Sequence, residues 1–319
     1  MKTTTIAIII PVYNVENFVK ETLLSVKNQI SSPDEVIIID DGSTDDSINI
    51  INLFKDLHGW KIIQTSNQGL GLTRNFGRSI ITSEYVYFLD SDDVISNDLI
   101  DHMRKIIHKY NKPDMILFSG ENFDDSGKNS KKPNLKFTLQ GEYFRGSKLI
   151  TKLTKKKETL PQVSRYITKV KLWSKNKLNY PKGIAEDEAV FFPLLALSEN
   201  TVVTQETYFK YRVGRPGSIT LSLPSAEQAR DFLHRITYSM QFMTLKSDLI
   251  KTDLSAWRYR LARKGLNYVS MCLKTKSPIA WTTLLILFYK TKNISFPFKL
   301  FWRILMHFLK IFSNNNIKK

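Results

Sequence analysis

Within the first 120 residues, four apolar runs of strand length each stop at a polar turn, and a segment of helical spacing follows each one. Ile6–Ile10 stops at Pro11, and Glu35–Ile39 stops at Asp40-Asp41-Gly42-Ser43. Trp60–Gln64 precedes Asn67-Gln68-Gly69, and Tyr85–Leu89 runs into Asp90-Ser91-Asp92-Asp93. Between them, Phe18, Leu23, Leu24 and Val26, then Ile48, Ile51 and Phe54, then Arg74, Phe76 and Ile80, recur at helical spacing. Runs apolar on both faces and separated by helices indicate an α/β fold with a mostly parallel central sheet covered on both sides. In such sheets ligands bind beyond the carboxyl ends of the strands, so the four turns should line one edge.

The fourth turn is the most demanding chemically. Three carboxylates at the end of a buried strand repel one another unless a cation or a set of donors compensates them. Oxygen ligands at this spacing suit a hard ion, Mg²⁺ or Mn²⁺, and not zinc. The alternative is a strand followed by an Asp-capped helix, with Ser91 or Asp92 accepting from the next turn's amides and Asp93 a further candidate cap for a helix over Leu99–Ile107.

Pro11-Val12-Tyr13-Asn14, then Val36–Asp45 with its Asp-Asp-Gly-Ser, then Asn67–Gly77, then Phe88–Asp93, in this order, resemble glycosyltransferase family 2, inverting enzymes with a GT-A nucleotide-sugar domain. The resemblance extends over residues 5–220. It implies that Pro11, Val12 and Tyr13 floor the base and ribose site, and that Asp41 accepts the N3–H of uracil. It places Asn67 beside the nucleotide and Arg74 near uracil or the phosphates, where a guanidinium fork clamps anions well. Asp90, Ser91 and Asp92 fall in the family's D-x-D element, with Asp92 the direct metal ligand and Asp90 holding ribose or a metal-bound water. Asp40 is expected to support its turn, and Arg78 to be a surface residue.

A second constellation is Gly183-Ile184-Ala185-Glu186-Asp187-Glu188, followed by Ala189, Val190 and Phe191. Three carboxylates at a helix start also suit the helix dipole. The pattern nonetheless resembles the family's acceptor motif, which makes Asp187 the catalytic base, assisted by Glu186, for attack by an acceptor hydroxyl. Tyr208–Thr220 resembles the strand and closing loop whose cation meets the donor diphosphate. Arg212 and Arg215 both qualify, with Arg212 preferred. Trp173 reads as core.

Charge divides the chain. Residues 1–150 carry 17 Lys/Arg against 20 Asp/Glu, residues 151–319 carry 30 against 10, and 13 Lys/Arg follow the last acid, Asp253. Residues 221–319 are therefore expected to form a basic, amphipathic helical region distinct from a GT-A domain over 1–220. Residues 279–289 are apolar but too few to span a bilayer. Over 296–312, Lys299, Arg303, His307 and Lys310 interrupt an otherwise aromatic and aliphatic stretch, as in a helix lying on an anionic membrane. Packing against protein is the alternative. One cysteine, Cys272, permits no internal disulfide, and the short apolar run Ile6–Val12 follows a single lysine and leads into Tyr13-Asn14 with no small-residue cleavage site, so a cytoplasmic setting is expected, peripheral on the inner membrane face.

The sequence thus leads to a metal-dependent inverting transferase moving sugar from a UDP-sugar to a glycan, with a lipid-linked polysaccharide intermediate as first acceptor class. A nucleic-acid-binding protein would leave the acidic turns without purpose, so no nucleic-acid partner is expected. A non-catalytic scaffold of the same fold is the other alternative.

Overall fold

A computed structural model of the chain describes residues 4–123, 135–159, 161–183, 187–215, 225–245 and 255–291, together with 297, 299–301 and 304. It divides into two compact units, Met1–Ser218 and Ile219–Lys319.

Among the described residues, the first unit is built on a nine-stranded sheet. Strands β1 (Ile6–Val12), β2 (Glu35–Asp40), β3 (Trp60–Gln64) and β4 (Tyr85–Phe88) run parallel in the order β3-β2-β1-β4. Helices α1 (Val19–Lys27), α2 (Ser47–Asn52) and α3 (Leu70–Ile80) make the crossovers. Beyond them come β5 (Val94–Ile95), α4 (Leu99–Lys109), β6 (Met115–Phe123), β7 (Gly141–Phe144), α5 (Gly146–Lys155), β8 (Tyr166–Lys169), α6 (Val170–Asn176), α7 (Asp187–Leu197) and β9 (Asn200–Arg212). β8 inserts antiparallel between β4 and β6, while β9 runs parallel to β6. The parallel run expected from the first 120 residues is therefore interrupted by a strand drawn from much later in the chain.

Alternate residues of β1 serve opposite faces, as strand geometry dictates. Ile6, Ile8 and Ile10 join the core that includes Val19 and Leu23 of α1, Ile51 of α2 and Leu99, Met103 and Ile107 of α4. On the other face α3 approaches so closely that a Cβ on Gly77 would lie 2.6 Å from Ile9 Cγ2 and 2.8 Å from Ile39 Cδ1. That close approach carries the start of α3, and Arg74 with it, to the sheet's carboxyl edge.

The second unit holds α8 (Ala226–Leu245), α9 (Ser255–Thr275) and α10 (Trp281–Thr291). Ala229, Phe232, Ile236 and Met240 of α8 meet Leu261, Leu266, Val269 and Cys272 of α9 and Leu284 and Leu287 of α10. Among the described residues no helix is long and apolar enough to cross a membrane. Most of the basic stretch 296–312, including His307 and Lys310, lies outside the described residues.

Candidate active site

The first two turns are tied together by side-chain bonds. Asn14, in left-handed conformation at φ 50°, donates its backbone N–H to Ser43 Oγ at 3.1 Å and accepts the Thr44 N–H at 2.8 Å. Pro11 and Val12 are buried at the end of β1, whereas Tyr13 is 48% exposed beside them. Asp40 accepts the Ser43 N–H at 3.2 Å and so supports its own turn.

Asp41 is almost fully buried, and its carboxylate holds the third turn. Oδ1 accepts the Gln68 N–H at 3.0 Å and the Thr65 hydroxyl at 3.1 Å, while Oδ2 accepts the Gly69 N–H at 2.9 Å. Gly69 itself sits at φ 96°, where an L side chain is strained, and nothing lies within 4 Å of a Cβ built there. Asn67 is exposed on the same turn.

Arg74 connects two distant parts of the chain. Its side chain is 1% exposed, Nη2 donates to Asp90 Oδ1 at 2.5 Å, and Nη1 donates to Asp187 Oδ1 at 3.2 Å. The guanidinium carbon stands 5.4 Å from the centroid of the Tyr180 ring. Tyr180 is fixed in turn because its backbone N–H and carbonyl pair with both ends of the Asn75 amide, at 2.9 and 2.8 Å. Asp187 opens α7, where a carboxylate is favoured by the helix dipole. Neighbouring Glu186 lies outside the described residues.

The acidic turn after β4 contains three different environments. Asp90 remains partly exposed, and its carboxyl is pushed up to about 6: desolvation raises it, Arg74 opposes, and the charges of Asp187 and Asp92 add to the rise. Asp92 receives Nε of Arg215, with both side chains mostly covered. Asp93 is buried, and its Oδ1 accepts the Arg212 backbone N–H at 2.9 Å. Burial first, then Asp92 and Asp90, push its carboxyl well above the usual range. Asp93 therefore braces β9 and does not cap α4, whose start lies at Leu99 after Asp98. Ser91 is buried too, its carbonyl accepting the Thr22 hydroxyl at 2.9 Å.

The two eligible arginines of the later stretch have separate settings. Arg212 is buried at the end of β9, where Nε donates to the Asp92 carbonyl at 2.8 Å, Nη2 donates to Glu21, and Phe18 and Phe123 flank the guanidinium at 5.1 and 4.4 Å. Arg215 is the one placed on the Asp92 carboxylate. The loop after it, 216–224, lies outside the described residues. Arg78 is more than a surface residue: it donates to the Leu178 carbonyl at 3.1 Å and to Asn179 at 2.7 Å, and it stacks 5.0 Å from Trp173, which is fully buried as expected.

Residues 7–175, just over half of the chain, match the model of the family described as Glycosyl transferase family 2. The chain belongs to this family. A glycosyltransferase of Haemophilus influenzae is 45% identical over 98 residues, 30% of this chain and 39% of that protein. The poly(ribitol-phosphate) beta-glucosyltransferase of Bacillus spizizenii is 30% identical over 219 residues, 66% of this chain and 33% of that protein. The chain thus spans well under half the length of these two relatives. Among solved structures, S. aureus TarS 1-349 in complex with UDP-GlcNAc superposes with a TM-score of 0.63 at 19% identity, covering 94% of this chain and 89% of TarS 1-349. The fold is therefore the GT-A arrangement of a family 2 glycosyltransferase, with a helical region following it.

Signals missed by reading the sequence are those of support. Tyr180 and Asn75 carry no motif of their own, although Asn75 directly follows Arg74 in the third block. Glu21 and Phe18, which enclose Arg212, read only as helix residues.

Proposed function

We propose that the chain transfers a sugar from a UDP-sugar to a hydroxyl of a glycan with inversion, Asp187 acting as the base. The observation that carries this reading is the bridge from Asp90 through Arg74 to Asp187, which brings the donor-side turn and the acceptor-side helix to one place. Asp187 Oδ1 is taken by Arg74, while Oδ2 accepts from no described residue and the side chain is 23% exposed. That oxygen is suited to take the acceptor proton as the hydroxyl attacks the anomeric carbon. Pro11, Val12, Tyr13 and Asn67 border the base and ribose, and Gly69 leaves its backbone open to the nucleotide.

A divalent cation fits the acidic turn. Among the described residues no three His, Cys, Asp or Glu side chains form a closed metal cluster. Mg²⁺ and Mn²⁺ are commonly held by one or two carboxylates plus substrate phosphates, so Asp92 and Asp90 suffice with a diphosphate. The raised carboxyl of Asp90, with like charges beside it, is the local imbalance such a cation would offset. When bound, the ion supplies charge stabilisation to the departing nucleotide. Arg215, beside Asp92, would be placed to meet the diphosphate.

The acceptor we propose is a lipid-linked surface-polymer intermediate, with the protein peripheral on the inner membrane face. Poly(ribitol-phosphate) beta-glucosyltransferase among its relatives supports that acceptor class. The second unit carries 17 Lys/Arg against 4 Asp/Glu. Trp281, Leu285, Ile286 and Tyr289 of α10 are 50, 68, 49 and 79% exposed, an outward apolar face opposite buried Leu284 and Leu287. Aromatic residues near both ends of a helix too short to span suit the bilayer interface.

A screen of UDP-sugars that follows UDP release, with Asp92→Ala and Asp187→Ala as controls, tests the reaction. Turnover in Asp187→Ala equal to the parent removes the base, and unaltered metal dependence in Asp92→Ala removes the ligand. Sedimentation with phosphatidylglycerol vesicles tests attachment. Equal recovery of a Trp281→Ser/Leu285→Ser/Tyr289→Ser variant rules out α10.

A further inference from the structure

We infer that Arg74 is a positioning residue that fixes the base Asp187 against the donor-side Asp90, and that it is not a ligand of uracil or of the phosphates. The inference rests on the reading of Asp187 as base given above, and it reassigns the residue whose sequence context pointed to the nucleotide.

Three observations carry it. Arg74 is sealed from solvent at 1% exposure, whereas Asp90 and Asp187 keep 31 and 23% of their side chains accessible. The carboxylates thus reach solvent while the guanidinium joining them does not. Its Nη1 donates to Asp187 and its Nη2 to Asp90. A guanidinium is planar and its donors diverge at a fixed angle, so one group bonded to two carboxylates sets the distance between them.

The third observation is what lies beneath. The Tyr180 ring, 5.4 Å from the guanidinium carbon, backs Arg74, and Asn75, its neighbour in α3, clips the Tyr180 backbone through two bonds. Tyr180 therefore cannot drift without breaking a paired amide, and Arg74 cannot drift without leaving Tyr180. The chain of support runs from α3 through Asn75 and Tyr180 to Arg74, and from there to the two carboxylates. α3 is itself pressed on the sheet at Gly77.

Lysine cannot reproduce this, since a single ammonium on a flexible stem does not hold two carboxylates at set directions. Arg74→Lys keeps the charge and loses the fork, while Arg74→Met loses both. Either variant leaves the nucleotide-facing groups Tyr13, Asn67 and Gly69 untouched.

The test measures UDP binding by calorimetry and turnover of a saturating UDP-sugar, in the full chain, for both variants and for Asp187→Asn. The inference expects UDP dissociation constants within about threefold of the parent for both arginine variants, with kcat reduced at least about 100-fold in Arg74→Met and at least about 10-fold in Arg74→Lys. A tenfold or greater loss of UDP affinity with kcat retained makes Arg74 a nucleotide ligand and overturns it. Full activity in Asp187→Asn sinks the base reading by itself, whatever the arginine variants show.

A double-mutant cycle on thermal unfolding, with Arg74→Met, Asp187→Asn and both together, needs no turnover. Removing Arg74 alone leaves the charges of Asp90 and Asp187 facing each other, so adding Asp187→Asn should recover part of the lost melting temperature. Strictly additive losses refute the bridge.

Discussion

Asp41 is where the structure most changes what a mutation should do. If its only task were to accept a hydrogen bond from uracil, Asp41→Asn would leave the nucleotide-free protein as stable as the parent. Instead the carboxylate accepts the backbone N–H groups of Gln68 and Gly69 at 3.0 and 2.9 Å, and the Thr65 hydroxyl at 3.1 Å. Bonds to a charged acceptor contribute roughly 1.5–3 kcal/mol each, and an orphaned buried donor costs roughly 1–3 kcal/mol. In Asp41→Asn the amide oxygen can keep the Gln68 bond at neutral strength, but the amide nitrogen then faces the Gly69 N–H, donor to donor. Water reaches part of this turn, so the lower half of those ranges applies and the net loss is about 2–3 kcal/mol. For a domain of this size that corresponds to a melting temperature lower by roughly 4–12 °C. The assay is thermal unfolding without nucleotide, beside UDP titration of the same variant. A nucleotide-free melting temperature within 1 °C of the parent, with UDP affinity lost, would refute the clamp and return Asp41 to a purely ligand-facing role.

Gly77→Ala should destabilise the first unit by about 1–2 kcal/mol in chemical denaturation, because overpacking against Ile9 and Ile39 outweighs the roughly 1 kcal/mol that alanine gains in a helix; a stabilised variant would mean that α3 can lift off the sheet freely. Arg215→Ala should raise Mn²⁺ affinity in nucleotide-free protein by about three- to tenfold, since the cation paired with Asp92 is removed, and calorimetry showing weaker Mn²⁺ binding contradicts that pairing. Glu35 is desolvated, which raises its carboxyl, yet the Ser83 hydroxyl and the Thr82 and Ser83 N–H groups outweigh this and hold it below 4.5. With the folded value below the unfolded one, its stabilisation is complete above about pH 4.5 and fades as pH falls through the folded value. Glu35→Gln should therefore show a shallower loss of stability on acidification, and superimposable acid titrations of the two proteins would exclude the effect.

The part of the fold that could be read directly is the part encoded locally. β1 to β4 and the helices between them announce themselves by period and by the turn that ends each run, because both depend on residues only a few positions apart. β8 could not be placed in this way: Tyr166–Lys169 is four residues long, and its position between β4 and β6 depends on strands formed about 50 and 80 residues earlier. The same division separates the site residues. Asp90, Asp92 and Asp187 are exposed to reading because clustered acids at a strand end or a helix start are costly and need a reason. Arg74 and Arg212 stand out as candidates, but their partners could not be read with them, since these lie 16, 113 and 191 positions away.

Burial and charge together explain why the arginines sort as they do. Each acidic position in the β4 turn is answered by a different arginine group: Asp90 by the Arg74 guanidinium, Asp92 by Arg215, and Asp93 by the Arg212 backbone amide. Arg74 and Arg212 are inaccessible and stacked on aromatic rings, so moving either would uncover a guanidinium-sized hole and leave its partly exposed carboxylate partners, Asp90 and Asp187 or Glu21, unpaired. Arg215 is the exception, being more exposed at 18% and standing next to the stretch that resembles the family's closing loop. If the acidic turn takes a diphosphate as proposed, the cation able to leave its carboxylate for it is the least buried one, Arg215, while Arg212, enclosed by Phe18, Phe123 and Glu21, holds the end of β9 to the acidic turn.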